Sequence, residues 1–104
     1  MKVVALAPDL LDRSKIAAVL PDAAFVGAAA QLPAAAAGAD LVVIDLARPG
    51  VLDVLDAVVA AAAAGRVVGF GPHTEVDVLA AADAAGVTSM PRSRFFADLP
   101  AALA

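Results

Sequence analysis

The sequence contains no cysteine, tryptophan or tyrosine, a single histidine, and few charged side chains. Without cysteine there are no disulfides, thiolate metal ligands or cysteine nucleophiles, and one histidine cannot form a histidine metal cluster. A flavin would lack its usual aromatic stacking partners. The net charge of −4 also lacks the basic surface that nucleic-acid binding requires. We therefore expect no cofactor, no metal site and no nucleic-acid partner.

Long apolar segments are missing as well. The most apolar stretch, residues 57–64, ends at Gly65, well short of the roughly 20 residues that span a bilayer. At the start, only five apolar residues separate Lys2 from Pro8, whereas the apolar part of a secretory signal needs about 7–15. These absences predict a cytoplasmic location and no membrane partner.

Small apolar residues are abundant. Hydrophobic residues make up 62% of the chain, and 30 of its 104 residues are alanine. This composition excludes intrinsic disorder because the chain can bury ample apolar surface. A chain of this length has room for one core, so we expect a single domain over residues 1–104.

Five short apolar runs, separated by helix-length segments, predict five β-strands. Three of the runs are continuous and do not alternate with polar residues, which is typical of parallel strands covered on both faces. The predicted strands are residues 3–7, 24–27, 41–44, 67–70 and 87–90.

The segments between and after the strands predict five helices. In the third segment, aspartates occupy one side of the helical wheel, and the opposite side carries Val51, Leu55, Val58, Val59 and Ala62. That pattern is typical of an amphipathic helix packed on a sheet. The predicted helices cover residues 9–20, 28–37, 51–64, 74–86 and 93–102.

Residues with capping preferences mark several predicted helix ends. Asp9, Thr74 and Ser93 are typical N-cap residues, and Gly65 is the usual kind of residue just past a helix. Pro33 predicts that the second helix is short or starts late.

Regular alternation of strands and helices predicts an open parallel sheet with helices on both faces. Five βα units in this length match a flavodoxin-like three-layer sandwich with strand order 2-1-3-4-5. Ligands of such folds bind beyond the carboxyl ends of the strands, where we look for functional residues.

One strand and its following loop resemble a known family. Residues 40–50 read Asp-Leu-Val-Val-Ile-Asp-Leu-Ala-Arg-Pro-Gly, an apolar strand that ends in Asp45 and is followed by Pro49-Gly50. This segment resembles the third strand of response-regulator receiver (CheY-like) domains, and the resemblance extends to nearly the whole chain in element order and length. It implies that Asp45 is equivalent to the aspartate that accepts a phosphoryl group with bound Mg²⁺.

The other family positions do not match. Receivers carry two acidic residues after the first strand, where this chain has Ala7 and Pro8. They carry a threonine or serine after the fourth strand, where Gly71 stands, and a lysine before a proline after the fifth, where the order is Pro91-Arg92. The chain therefore resembles an atypical pseudo-receiver, in which Asp45 is a vestigial phosphoacceptor or a polar strand end. Phosphorylation on Asp45 by another route and contact with another ligand are the alternatives.

Four further residues are candidates for an anion or small-ligand site in the strand-end crevice: Asp9, His73, Arg92 and Ser93. Two guanidinium groups and a helix N-terminus near Ser93 suit phosphate or sulfate. Each residue also has a structural interpretation, with Asp9 and Ser93 as N-caps and His73 as a solvated loop side chain.

These observations favour a non-catalytic signalling or protein-interaction module resembling a stand-alone pseudo-receiver. The chain has no nucleotide-binding or nucleophile-elbow motif, and Asp45 with His73 as an acid–base pair has no motif support. We expect a protein partner or a homodimer, with Phe95 or Phe96 of the last helix in the interface because aromatic residues are enriched there. A small-ligand or anion-binding domain is the alternative.

Overall fold

The computed structural model describes all 104 residues and contains one five-stranded parallel sheet. The strands lie side by side in the order β2-β1-β3-β4-β5. This arrangement confirms the predicted flavodoxin-like fold with order 2-1-3-4-5. The strands are β1 (Val3–Leu6), β2 (Ala24–Phe25), β3 (Leu41–Asp45), β4 (Arg66–Gly71) and β5 (Thr88–Pro91).

Helices cover both faces of the sheet. They are α1 (Leu10–Val19), α2 (Leu32–Ala35), α3 (Val51–Ala62), α4 (Val76–Ala84), α5 (Arg92–Ala97) and α6 (Leu99–Leu103). Apolar side chains of α1, α5 and α6 pack on one face, and those of α2, α3 and α4, with a 3₁₀ turn at Ala29–Gln31, pack on the other. None of these helices has the length and hydropathy needed to cross a membrane.

Strand residues alternate between the two layers of the core. In β3, Leu41 and Val43 contact the layer of α1, whereas Val42 and Ile44 contact the layer of α3. Both layers are apolar, so the strand has no polar face and its sequence is continuously hydrophobic, as predicted.

Two of the predicted helix starts are wrong. Glu75, not Thr74, occupies the N-cap position of α4, and no side chain caps this helix. Pro91 occupies the N-cap position of α5, and Ser93 is the second residue inside that helix. In both places the hydroxyl residue makes no capping hydrogen bond, so its capping preference did not decide where the helix starts.

The second and last predicted helices are interrupted. Residues 28–37 form the 3₁₀ turn followed by the four-residue α2, with Pro33 in its first turn. The last segment divides into α5 and α6 at Asp98, whose Oδ1 accepts a hydrogen bond from the Ala101 amide. Pro33 in α2 and Pro100 in α6 are each the second residue of a new helix, a position that tolerates proline because its amide hydrogen would have no partner within the helix.

The carboxyl end of α3 also differs from the prediction. The chain leaves the helix at Ala63, whose φ of 51° is unusual for a residue with a side chain. Gly65 has a different role, because a Cβ atom at this position would overlap the carbonyl oxygen of Ala39. Close packing, not helix capping, requires the glycine.

Candidate functional site

The register of the sheet brings several loops to one edge. Leu6 pairs with Ile44, Asp45 with Phe70 and Gly71 with Pro91. The loops that follow β1, β3, β4 and β5 therefore start at the same end of the sheet. There the charged side chains Asp9, Asp12, Asp45, Arg48 and Arg92 interact with one another, and we call these five residues the strand-end site.

Asp45 is the last residue of β3 and is 5% exposed. Its Oδ1 accepts a hydrogen bond of 3.0 Å from the Ala47 amide. Its Oδ2 lies 3.4 Å from Nε of Arg48, within ion-pair distance but without hydrogen-bond geometry. Both carboxylate oxygens are therefore engaged by the loop that directly follows the strand.

Asp12 and Arg92 form the second ion pair of the site. Asp12 lies in the first turn of α1 and is 3% exposed, since it shares the inner face of the helix with Ile16. Its Oδ1 accepts a hydrogen bond of 2.6 Å from Nη2 of Arg92, the first residue of α5. Oδ2 of Asp12 is buried and has no hydrogen-bond partner. The pair joins α1 to α5 across the end of the sheet.

Arg92 lies at the centre of the charges. The hydrogen bond that Arg92 donates to Asp12 is the main reason that the pKa of Arg92 is above its ordinary value, and the charges of Asp45 and Asp9 act in the same direction. The guanidinium carbon lies 5.6 Å from the ring centre of Phe70 and 5.2 Å from that of Phe96. Two aromatic rings and three carboxylates thus surround this cation.

Asp9 is the N-cap of α1, as its position predicts. Its Oδ1 accepts hydrogen bonds from the amides of Leu11 and Asp12, at 2.9 and 3.0 Å. The bond from Asp12 is the main cause of a lowered pKa of the Asp9 carboxyl, and the charges of Arg92 and Arg48 contribute in the same direction. The hydrogen bonds of Asp9 are therefore those of an N-cap residue.

Two of the predicted candidates stand outside this network. His73 is exposed in the loop between β4 and α4, and Ser93 is exposed on α5. An open crevice of about 320 Å³ does lie at this end, but its lining is Leu6, Pro8, Gly27, Ala28, Ala29, Arg48 and Pro49. None of the four predicted residues Asp9, His73, Arg92 and Ser93 lines this crevice, and their role as anion contacts stays a prediction.

The two phenylalanines of α5 have different environments. Phe95 is fully buried and stacks on Phe70, so it cannot take part in a surface interface. Phe96 is half-buried, and Nζ of Lys15 lies 5.3 Å from its ring centre. The interface prediction is corrected accordingly: of the two rings, Phe96 alone can contact a partner.

Comparison with solved structures supports the fold. The chain is similar to a protein from Sinorhizobium meliloti 1021 described as a CpaE2 pilus assembly protein, with a TM-score of 0.62 and 16% sequence identity. The match covers 93% of this chain and 95% of that chain. At this identity the likeness shows a shared fold. No protein-family model and no curated protein matches the chain significantly.

The parallel five-stranded architecture is the one that the receiver resemblance implies, but the strand-end site does not fit the Mg²⁺ ion that the resemblance also implies. No three histidine, cysteine or acidic side chains are placed so that they could hold a metal ion together. Asp12 is bound by Arg92, and Asp45 is bound by its own loop. Mg²⁺ requires near-octahedral oxygen ligands, which this arrangement does not provide.

Gly71 stands at the end of β4, where receivers carry a threonine or serine, and the structure has room for a side chain there. A Cβ atom built on Gly71 would lie 3.6 Å from Leu79 and 3.7 Å from Leu46, which are ordinary contacts. The glycine is therefore not required by packing at this position.

Sequence reasoning missed Asp12 and Arg48. A signal for Asp12 was present, because it is four residues before Ile16 and therefore on the buried face of α1. Arg48 follows Asp45 by three residues, and in a loop this spacing does not by itself predict that the two side chains meet.

Proposed function

We propose that the chain is a non-catalytic protein-interaction module, a pseudo-receiver that signals through contacts and not through phosphorylation. The engagement of Asp45 is the observation that carries this proposal. Pairing makes a carboxylate a weaker nucleophile, and both oxygens of Asp45 are paired: Oδ1 accepts a hydrogen bond from the Ala47 amide and Oδ2 forms an ion pair with Arg48.

The surroundings of Asp45 also lack most of the groups that stabilise phosphoryl transfer, and the cation beside the carboxylate, Arg48, is paired with the carboxylate itself. Positioned cations and hydrogen-bond donors must neutralise the charge that develops on the transferred group. Gly71 offers no hydroxyl, the positions after β1 are Ala7 and Pro8, and Arg92 is directed to Asp12. We infer that Asp45 maintains the loop after β3 and does not accept phosphate.

Intact-mass measurement after incubation with acetyl phosphate and MgCl₂ tests this part of the proposal. The wild-type protein should keep its mass, while an autophosphorylating receiver treated in parallel gains one phosphoryl group. A gain in the wild type that Asp45→Asn abolishes would show an unconventional phosphoacceptor and refute the pseudo-receiver proposal.

The contact surface that we propose includes Phe96 on α5, with a second copy of the chain or another protein as the partner. The half-buried ring can remove further apolar area from water when it is covered. Light scattering over a range of concentrations should show an oligomer that Phe96→Ser weakens. Leu52→Ser is the control, because Leu52 is 44% exposed on α3 in the opposite layer.

Two results would refute this surface. A wild-type chain that stays monomeric at all concentrations, together with partner binding that is indifferent to Phe96→Ser, would leave Phe96 as ordinary surface. Circular dichroism of both variants ensures that a loss of association is not a loss of folding.

A small-ligand site is the second candidate, because the crevice beside Arg48 lies where the strand order reverses between β1 and β3. Doubly wound folds bind ligands at this point. Inorganic phosphate is a suitable probe, since Arg48 is the cation in the lining. A rise in the unfolding midpoint with phosphate that Arg48→Gln removes and Arg94→Gln retains would favour ligand binding, and the absence of any rise would exclude phosphate as the ligand.

A further inference from the structure

The buried carboxylate of Asp12 requires a compensating cation, and Arg92 of the same chain provides it. Asp12 is 3% exposed, and burial of an unpaired carboxylate is costly. Oδ1 receives the 2.6 Å bond from Arg92, and Oδ2 has no partner. Arg92 is thus the compensating charge for a carboxylate that faces the interior.

Arg92 is held in place independently of that bond. It is the first residue of α5, directly after β5, and its guanidinium lies against the rings of Phe70 and Phe96. The side chain of Arg92 is 44% exposed, so these two rings and Asp12 hold the inner side of a guanidinium group whose outer side contacts water.

The charges of the strand-end site are nearly balanced by the chain itself. Three carboxylates, of Asp9, Asp12 and Asp45, lie near two guanidinium groups, of Arg48 and Arg92. The carboxylates do not converge on a common point that could hold a metal ion. The site therefore has little uncompensated charge to attract a divalent cation.

We propose that Arg92 is the resident counter-cation of the strand-end site and locks α1 to α5, so that the module holds one conformation whether or not divalent cations are present. This inference rests on the proposed function and concerns its regulation. A surface on α5 is then displayed constitutively and is not switched by metal.

Charge-removing variants test the role of Arg92. Arg92→Gln should lower the unfolding midpoint by about 5 °C, because the carboxylate of Asp12 then stays buried without its partner. Arg94→Gln, an equal change of charge on an exposed residue of the same helix that forms no ion pair, should have little effect. Adding Asp12→Asn to Arg92→Gln should restore much of the loss, because the uncompensated charge is then gone. Equal midpoints for Arg92→Gln and Arg94→Gln, or no restoration by Asp12→Asn, would overturn the inference.

A metal titration of the wild-type protein gives a second readout that does not depend on the folding of a variant. Amide NMR signals near Asp12, Asp45 and Arg92 should not respond to millimolar MgCl₂ beyond a control of equal ionic strength, and Mn²⁺ should not broaden them selectively. Saturable changes at these signals would overturn the inference. No phosphodonor is present, so this result is separate from the mass measurement that tests the proposed function.

Discussion

The ring of Phe95 stacks on the ring of Phe70, with ring centres 4.6 Å apart and planes inclined by 20°. Phe96, the next residue, meets both rings edge-on at 5.0 and 4.9 Å and remains half-buried. Adjacent phenylalanines of one short helix therefore divide into a core residue and a border residue.

Replacement of the two rings should have unequal costs. Phe95→Ala removes a fully buried ring and leaves a cavity, so we expect a loss of about 3–5 kcal/mol in the free energy of unfolding. Phe96→Ala should cost roughly 1–2 kcal/mol, since part of its ring already contacts water. Urea unfolding gives both values. Equal losses would contradict the division between core and border, and Phe95→Leu provides the comparison if Phe95→Ala does not fold.

Stability in acid should depend on the cap of α1. The amide of Asp12, followed by that of Leu11 and the charges of Arg92 and Arg48, holds the pKa of Asp9 below its reference value of 3.8. A carboxyl group with a lowered folded-state pKa stabilises the fold above its unfolded-state pKa and loses that contribution as the pH falls through the lowered value. The difference in unfolding midpoint between wild type and Asp9→Asn should therefore be full well above the reference pKa of 3.8 and shrink as the pH falls below it. A constant difference would show that the charge of Asp9 adds nothing.

The strands and their order were predictable because both layers of the core are apolar. A strand such as β3, which directs Val42 to one layer and Val43 to the other, has no polar face and stands out as a continuous apolar run. Helix-period spacing in α3 likewise predicted the burial of Val51, Leu55, Val58 and Ala62. These are local signals that tertiary contacts reinforce.

The ion pairs of the strand-end site could not be predicted in the same way. Asp12 and Arg92 are 80 residues apart, and their contact exists only because α1 and α5 pack on the same face of the sheet. Local capping preferences were also misleading. Ser93 and Thr74 are residue types that favour N-cap positions, but neither caps a helix. Partners that are distant in the chain are set by the complete fold.

Gly71 should accept a side chain, although it lies in a buried strand. A Cβ atom at Gly71 has no neighbour closer than 3.6 Å, whereas one at Gly69 of the same strand would lie 2.9 Å from Leu46. Gly71→Ser should therefore change the free energy of unfolding by less than about 1 kcal/mol, and Gly69→Ser should cost more, about 1–3 kcal/mol. Urea unfolding of both variants tests the ranking, and a larger cost at Gly71 would show that packing does require the glycine there.

Ala63→Gly should stabilise the protein, although glycine usually destabilises a helix. Its φ of 51° and ψ of −107° lie where side chains are strained and glycine is not. Ala63→Gly relieves this strain but increases the entropy of the unfolded chain, so the net gain should be about 1 kcal/mol. Ala60→Gly, three residues earlier and inside α3, is the matched control and should cost about 1 kcal/mol. Thermal and urea unfolding should give opposite signs for the two variants, and a loss of similar size for both would show that the chain leaves α3 by a different path.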